Sequence, residues 1–160
     1  MSVIKGTAYW AHVVAPNTKF VTDGEWSVDV GNLDATNKKI AQSDGLSIKN
    51  KGDEKGDFIT VKRRVKWKDG ALKTAPKIMD AQKNVVLDTL IGNGSEVNVL
   101  YTPYEWSNMG KSGVSGELEA IQILNLIPYI ENQQSAEDAF GVVPDGFISS
   151  GADEEIKLAN

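Results

Sequence analysis

The chain has 160 residues, 41% of them apolar and 24% charged, and a formal net charge of −5. That length fits one folded body with a tail and is enough to bury a core, and the composition is not that of a disordered chain. There is no cysteine and a single histidine, His12, which excludes disulfides, thiolate metal sites and multi-histidine metal centres.

Residues 3–14 read as a strand, with Ile4, Trp10 and Val14 on one face and Lys5, Thr7 and Tyr9 on the other. The N-terminal Met-Ser-Val-Ile-Lys holds no long apolar run, so no signal peptide is expected, and no stretch approaches the roughly 20 apolar residues of a membrane span. Residues 25–30 form a second short strand in which Trp26, Val28 and Val30 alternate. Asp34 caps a helix that runs to about Ser43 and ends at Gly45. Residues 50–56 are a charged loop.

Residues 57–67 carry the clearest alternation. Ile59, Val61, Val65 and Trp67 share one face; Phe58, Lys62, Arg64 and Lys66 share the other. Asp69-Gly70 is a turn, and residues 77–81 are a short extended piece. Gly92-Asn93-Gly94 is a tight turn before a long strand over 95–106. There Val97, Val99 and Tyr101 face one way, and Thr102, Tyr104 and Trp106 the other. Residues 108–116, with three glycines, are expected to be a flexible loop. Residues 117–127 fit both a helical and a strand period; the run of isoleucines favours a buried strand that stops at Pro128.

The pattern predicts a mainly all-β protein: a five-stranded OB-fold-like barrel over residues 1–130, with one short helix, and an acidic, partly flexible C-terminal tail over 131–160. Phe140, Val142, Val143, Phe147 and Ile148 offer that tail apolar docking points.

Charge is distributed unevenly. Residues 131–160 hold seven acidic side chains against Lys157 alone. Lys62, Arg63, Arg64, Lys66, Lys68, Lys73 and Lys77 face only Asp69 across sixteen positions. A near-neutral body with one basic stripe points to a polyanionic ligand. Aromatic rings stand among those cations, and single-stranded nucleic acid needs that combination: cations for phosphates, rings for bare base faces. A charged strand face is also the ordinary solvated outer face of a sheet, so the aromatics decide. Tyr9, beside Lys5, reads as a stacking residue. Trp10, Trp26 and Trp67 alternate with aliphatic residues and read as core.

Several enzyme-like patterns fail. Gly110-Lys111-Ser112 resembles the end of a phosphate loop, but Glu105 stands where the first glycine is required. Asp53, Glu54 and Asp57 lack calcium-loop spacing. His12 has no nucleophile in register. No enzyme and no cofactor or metal is expected.

The chain resembles the single-stranded DNA-binding proteins of tailed phages, of the podovirus type. The resemblance lies in Lys5-Gly6-Thr7-Ala8-Tyr9-Trp10-Ala11, Phe58-Ile59-Thr60-Val61-Lys62-Arg63-Arg64-Val65, Pro76-Lys77-Ile78-Met79-Asp80-Ala81, Leu90-Ile91-Gly92-Asn93-Gly94-Ser95, Tyr104-Glu105-Trp106 and Gly110-Lys111-Ser112-Gly113. It implies an OB fold, sequence-independent binding of single-stranded DNA, and roles in phage replication, recombination and repair within the cytoplasm of an infected bacterium. It also implies replication proteins (polymerase, helicase-primase, nuclease) as partners of the tail, through Asp153, Glu154 and Glu155. Mapped by residue, the DNA contacts would be Lys5, Tyr9, Phe58, Lys62, Arg64, Lys66, Lys77, Tyr101, Tyr104, Trp106 and Lys111. A homodimer, through exposed strand edges or exchanged tails, fits the same picture. One departure is that Lys157 interrupts the acidic end and no terminal aromatic follows. The alternatives are a non-catalytic barrel that binds protein, and a barrel that binds RNA.

Overall fold

The strand Ser2–Asn17 (β1) begins with the expected alternation and then breaks it. Ile4 and Ala8 are fully buried. At Trp10 the backbone turns to φ 51°, and the register against the next strand slips between Tyr9 and His12. This bulge reverses the phase, as an extra residue in one strand must. Val13 is therefore buried where Val14 was expected, and Trp10 is 58% exposed. The reading of Trp10 as core is corrected by that one bulge.

The computed structural model describes residues 1–19, 21–129 and 146–147. The chain divides into two units, Met1–Tyr129 and Ile130–Asn160. In the second only residues 146–147 are described, and Phe147 is exposed. The rest of the tail, including Phe140, Val142, Val143, Ile148, Asp153, Glu154 and Glu155, lies outside the described residues.

In the first unit, β1 is followed by β2 (Glu25–Gly31), the helix α1 (Ala35–Ser43), β3 (Ile59–Arg64), β4 (Lys77–Met79), β5 (Ser95–Asn108) and β6 (Lys111–Asn125). The sheet order is β3-β2-β1-β5-β6-β4, and a further pairing of β3 with β6 closes five of these strands into a ring. That closing ladder is parallel, at Val61↔Gly116 and Lys62↔Glu117. β4 adds to the same strand in parallel, at Lys77↔Ala120 to Met79↔Gln122, and is one strand more than the pattern predicts. The architecture is the expected OB-like barrel with one short helix.

The inward faces of the strands interlock as one core: Ile4, Val28, Val30, Ile59, Val61, Val97, Val99, Tyr101, Leu118 and Ile121 are all at most 1% exposed. Asp34 caps α1 as expected, its carboxylate accepting the N–H of Asn37 at 2.8 Å. That hydrogen bond holds the Asp34 carboxyl below its ordinary range.

The expected flexible loop over 108–116 is instead the tip of a long hairpin. β5 and β6 stay paired from Pro103↔Gly116 to Asn108↔Lys111, leaving only Met109 and Gly110 as the turn. Both adopt positive φ, 50° and 81°, the left-handed pair that matches the twist of a two-residue hairpin. β1 pairs with β5 only as far as Ser2↔Tyr101. Beyond that point β5 has β6 alone beside it, and past Gly116, where β6 also parts from β3, the two strands run on as a ribbon with no third strand beside it among the described residues.

Candidate nucleic-acid interface

Two pieces of chain leave the barrel near each other and carry three of the exposed aromatics. One is the β5–β6 ribbon, with Tyr104 (41% exposed) and Trp106 (39%). The other follows β3. Val65–Lys73 folds back on itself: Lys73 N–H donates to Val65 O at 2.7 Å, Trp67 N–H to Ala71 O at 2.8 Å, and Gly70 N–H to Trp67 O at 3.0 Å. Trp67 lies past the end of β3, where inward alternation no longer applies, and is 54% exposed. Its reading as core is corrected for that reason.

Between these pieces runs an open groove of about 1330 Å³. Trp67, Tyr104 and Trp106 line it together with Lys62, Arg63, Arg64, Lys66, Lys68 and Lys73. The indole of Trp106 lies against the bare backbone of Gly113 opposite it; a Cβ there would meet the ring at 2.8 Å.

The groove is less basic than the stripe in the sequence suggests. Asp23, Glu25, Asp69, Glu105 and Glu117 also line it. Arg63 donates its Nε–H to Thr74 O at 2.8 Å and lies 3.5 Å from Glu117 and 3.6 Å from Glu119. Lys73 is bonded to Glu117. Lys66 is 3.5 Å from Asp23, in a half-exposed pair that contributes little. Lys62, Arg64 and Lys68 are exposed and form no ion pair among the described residues. Those three are the cations in the groove most available to a phosphate.

Of the expected contacts, Lys62, Arg64, Lys66, Tyr104 and Trp106 are brought together here. Lys111 opens β6 directly after the hairpin turn, beyond Trp106, and is exposed. Lys77 is exposed on β4, outside the groove lining. Lys5 is on β1 next to α1, its N–H donating to Asn37 Oδ1 and its ammonium 3.8 Å from Glu96.

Three expected rings are buried and present no face to a ligand. Tyr9 is 7% exposed because the same bulge that turns Trp10 out turns it in; its hydroxyl donates to Glu54 O at 3.1 Å and accepts from Asn32 Nδ2 at 2.8 Å. Phe58 is 2% exposed, covered by the Lys55 ammonium 4.3 Å from its ring centre, and Asp29 holds that ammonium at 3.1 Å. Tyr101 is fully buried, and its hydroxyl donates to Asp44 Oδ2 at 2.6 Å. Burial, and after it the Asp44 carboxylate, pushes the Tyr101 phenol well above its ordinary range.

The groove also contains residues the list of contacts lacked: Arg63, Trp67, Lys68 and Lys73. Lys66-Trp67-Lys68 followed by Asp69-Gly70 was the available signal, a tryptophan between two lysines at the mouth of a turn. Among the described residues no cluster of acidic or histidine side chains has the arrangement of a metal site. No described helix is long and apolar enough to cross a membrane.

No protein-family model matches the chain, and no curated protein matches it at a significant level. Solved structures do. The single-stranded DNA-binding protein gp2.5 of bacteriophage T7 aligns over 93% of this chain and 99% of its own, with a TM-score of 0.61 and 17% identity. The single-stranded DNA-binding protein of bacteriophage Enc34 aligns over 86% of this chain and 89% of its own, with a TM-score of 0.56 and 15% identity. The same Enc34 protein in complex with single-stranded DNA aligns over 79% of this chain and 89% of its own, at 0.56 and 14%. At these identities the likeness is one of architecture: the chain has the fold of these phage single-stranded DNA-binding proteins.

Proposed function

We propose that this protein binds single-stranded DNA without sequence preference, holding it in the groove between the β5–β6 ribbon and the Val65–Lys73 turn. The observation that carries the reading is the set of three exposed rings, Trp67, Tyr104 and Trp106, lining one groove with Lys62, Arg64 and Lys68. Exposed aromatic rings on a β-barrel have a cost in water, and a groove that offers them beside cations matches the two surfaces of an unpaired strand. Each stacked base contributes about 1–3 kcal/mol regardless of its identity, which gives affinity without sequence readout. A duplex hides its base faces and is a poor fit to such rings.

On this reading the protein coats and unfolds unpaired DNA during phage replication and recombination, in the cytoplasm of an infected bacterium. It acts without a cofactor and without catalysis. The reading extends to replication proteins as partners of the acidic segment and to a homodimer.

The test is fluorescence anisotropy of labelled oligo-dT titrated with the protein at several salt concentrations, with duplex DNA and oligo-U as competitors. Binding should weaken with salt, with a log–log slope near −0.7 for each phosphate contact. Duplex should fail to displace oligo-dT. Absence of binding to all three acids would end the nucleic-acid reading and leave a protein-binding barrel in its place. Equal competition by oligo-U would make RNA an equal ligand.

A further inference from the structure

Lys73 belongs to the basic stripe in sequence, yet its surroundings differ from those of Lys62 and Arg64. Its side chain is only 11% exposed. Its ammonium is bonded to the Glu117 carboxylate and stands 4.1 Å from the centre of the Trp67 ring. Glu117 belongs to β6, at the residue that pairs with Lys62 where the barrel closes. The cation is thus anchored to the rigid wall, and the ring it covers is on the turn outside that wall. Nothing else among the hydrogen bonds fixes the indole: the Trp67 main chain donates to Ala71, but its ring has no hydrogen-bond partner among the described residues.

A phosphate contact needs a cation that can give up its present partner and reach water. Lys73 is held by a carboxylate and an aromatic face together, and is nearly out of solvent. The ring so covered is still 54% exposed. An ammonium over an indole contributes about 0.5–2 kcal/mol, enough to select one ring orientation from several.

Resting on the reading of the groove as a single-stranded DNA site, we propose that Lys73 is a positioning residue for Trp67: anchored by Glu117, its ammonium covers one indole face and presents the other as a platform for a single base. Lys73 acts on DNA through the ring and makes no phosphate contact of its own. The number of ion contacts read from salt dependence is then smaller than the number of cations lining the groove.

The experiment compares wild type, Lys73→Met, Lys73→Arg, Trp67→Ala and the Trp67→Ala/Lys73→Met double variant by oligo-dT anisotropy across a salt series. Lys73→Met keeps the stem that packs on the ring and removes the charge; Arg63 remains beside Glu117, so that carboxylate keeps a cation. Expected is a loss of affinity of about threefold or more in Lys73→Met with an unchanged salt slope, recovery in Lys73→Arg, and no further loss when Lys73→Met is added to Trp67→Ala. A slope smaller by about 0.7 in Lys73→Met, with the same loss in the Trp67→Ala background, would make Lys73 a phosphate contact and overturn the proposal. Unchanged affinity in Lys73→Met overturns it as well. A readout without DNA separates the two layers: acrylamide quenching of the emission component that Trp67→Ala removes should rise in Lys73→Met. If wild type binds oligo-dT and that quenching does not change, the positioning role alone fails. If wild type binds no oligo-dT at low salt, the reading of the groove itself fails and the platform with it.

Discussion

β5 pairs with β6 from end to end, yet its two halves behave as two different elements. Up to Tyr101 it has β1 on its other side and contributes Val97, Val99 and Tyr101 to the core at full burial. Past Tyr101 it has lost β1, and the aromatics at Tyr104 and Trp106 stand in solvent. The residue chemistry is alike on both sides of that boundary. Tyr101 is on the inward face set by Val97 and Val99, whereas Tyr104 and Trp106 are on the other face of the strand, in the stretch where β1 no longer runs beside it.

The largest effects should fall on either side of this boundary and in different quantities. Tyr101→Ala removes a fully buried ring and is expected to lower stability by about 3–5 kcal/mol, read as a shift in urea midpoint. Trp106→Ala, five residues on, should change stability by about 0.5 kcal/mol and lower oligo-dT affinity by about 1–3 kcal/mol. A Trp106→Ala protein that unfolds early would mean that the ribbon is part of the folding unit and not an appendage to it.

A second contrast is between cations that are free and cations already paired. Lys62→Ala with Arg64→Ala should reduce the salt slope by about 1.4, two phosphate contacts at roughly 0.7 each, with the melting temperature preserved. Arg63→Ala, at the same strand, removes a side chain bonded to Thr74, Glu117 and Glu119 and should act mainly on stability. If Arg63→Ala reduces the slope as much as Lys62→Ala does, the ion pairs around Glu117 open on binding.

These contrasts explain what was legible in the sequence. The barrel was, because inward alternation in β2, β3 and the first half of β5 is a local pattern that survives folding: Trp26, Val28, Val30, Ile59, Val61, Val97 and Val99 are all buried as expected. The helix was, because its cap and stop are also local. The rings were harder. Tyr9 and Trp10 exchanged places through a bulge that leaves no mark in the composition of β1. Phe58 was placed correctly opposite Ile59, but the outer face of β3 at that end is roofed by Lys55 from the preceding loop. Tyr101 follows Val97 and Val99 into the core, as the alternation of β5 has it, and only the mapping from the resemblance made it a contact; Trp67 was misread because it lies past the end of β3. Pairing also hides the sign of a site: Glu117 lies forty-four residues beyond Lys73 in sequence and neutralises it only in the fold.

The smallest effects concern pH, and they separate the caps and loops from the groove. Asp34, Asp44, Asp57 and Asp80 all titrate below the ordinary value of 3.8. The leading causes are the N–H of Asn37, the Ser2 hydroxyl, the Lys38 ammonium and the N–H of Asn84 respectively. Each carboxylate is therefore held in its charged form by the fold. Their contribution to stability is complete above 3.8 and is lost as pH falls through the lower folded values. The melting temperature should be level from pH 7 to about 5 and fall below about 4. Tyr101 supplies the opposite limb. Its phenol is raised in the fold, so its contribution is complete below the ordinary value of 10 and is lost as pH rises above it, when the unfolded phenol ionises and the buried one resists. Asp44 and Tyr101 share one hydrogen bond, so Tyr101→Phe should remove the alkaline limb and shorten the acid one while leaving oligo-dT affinity as it was. A Tyr101→Phe protein with the alkaline limb intact would place that titration on another group, and one with weakened DNA binding would carry the boundary on β5 further into the barrel than its burial indicates.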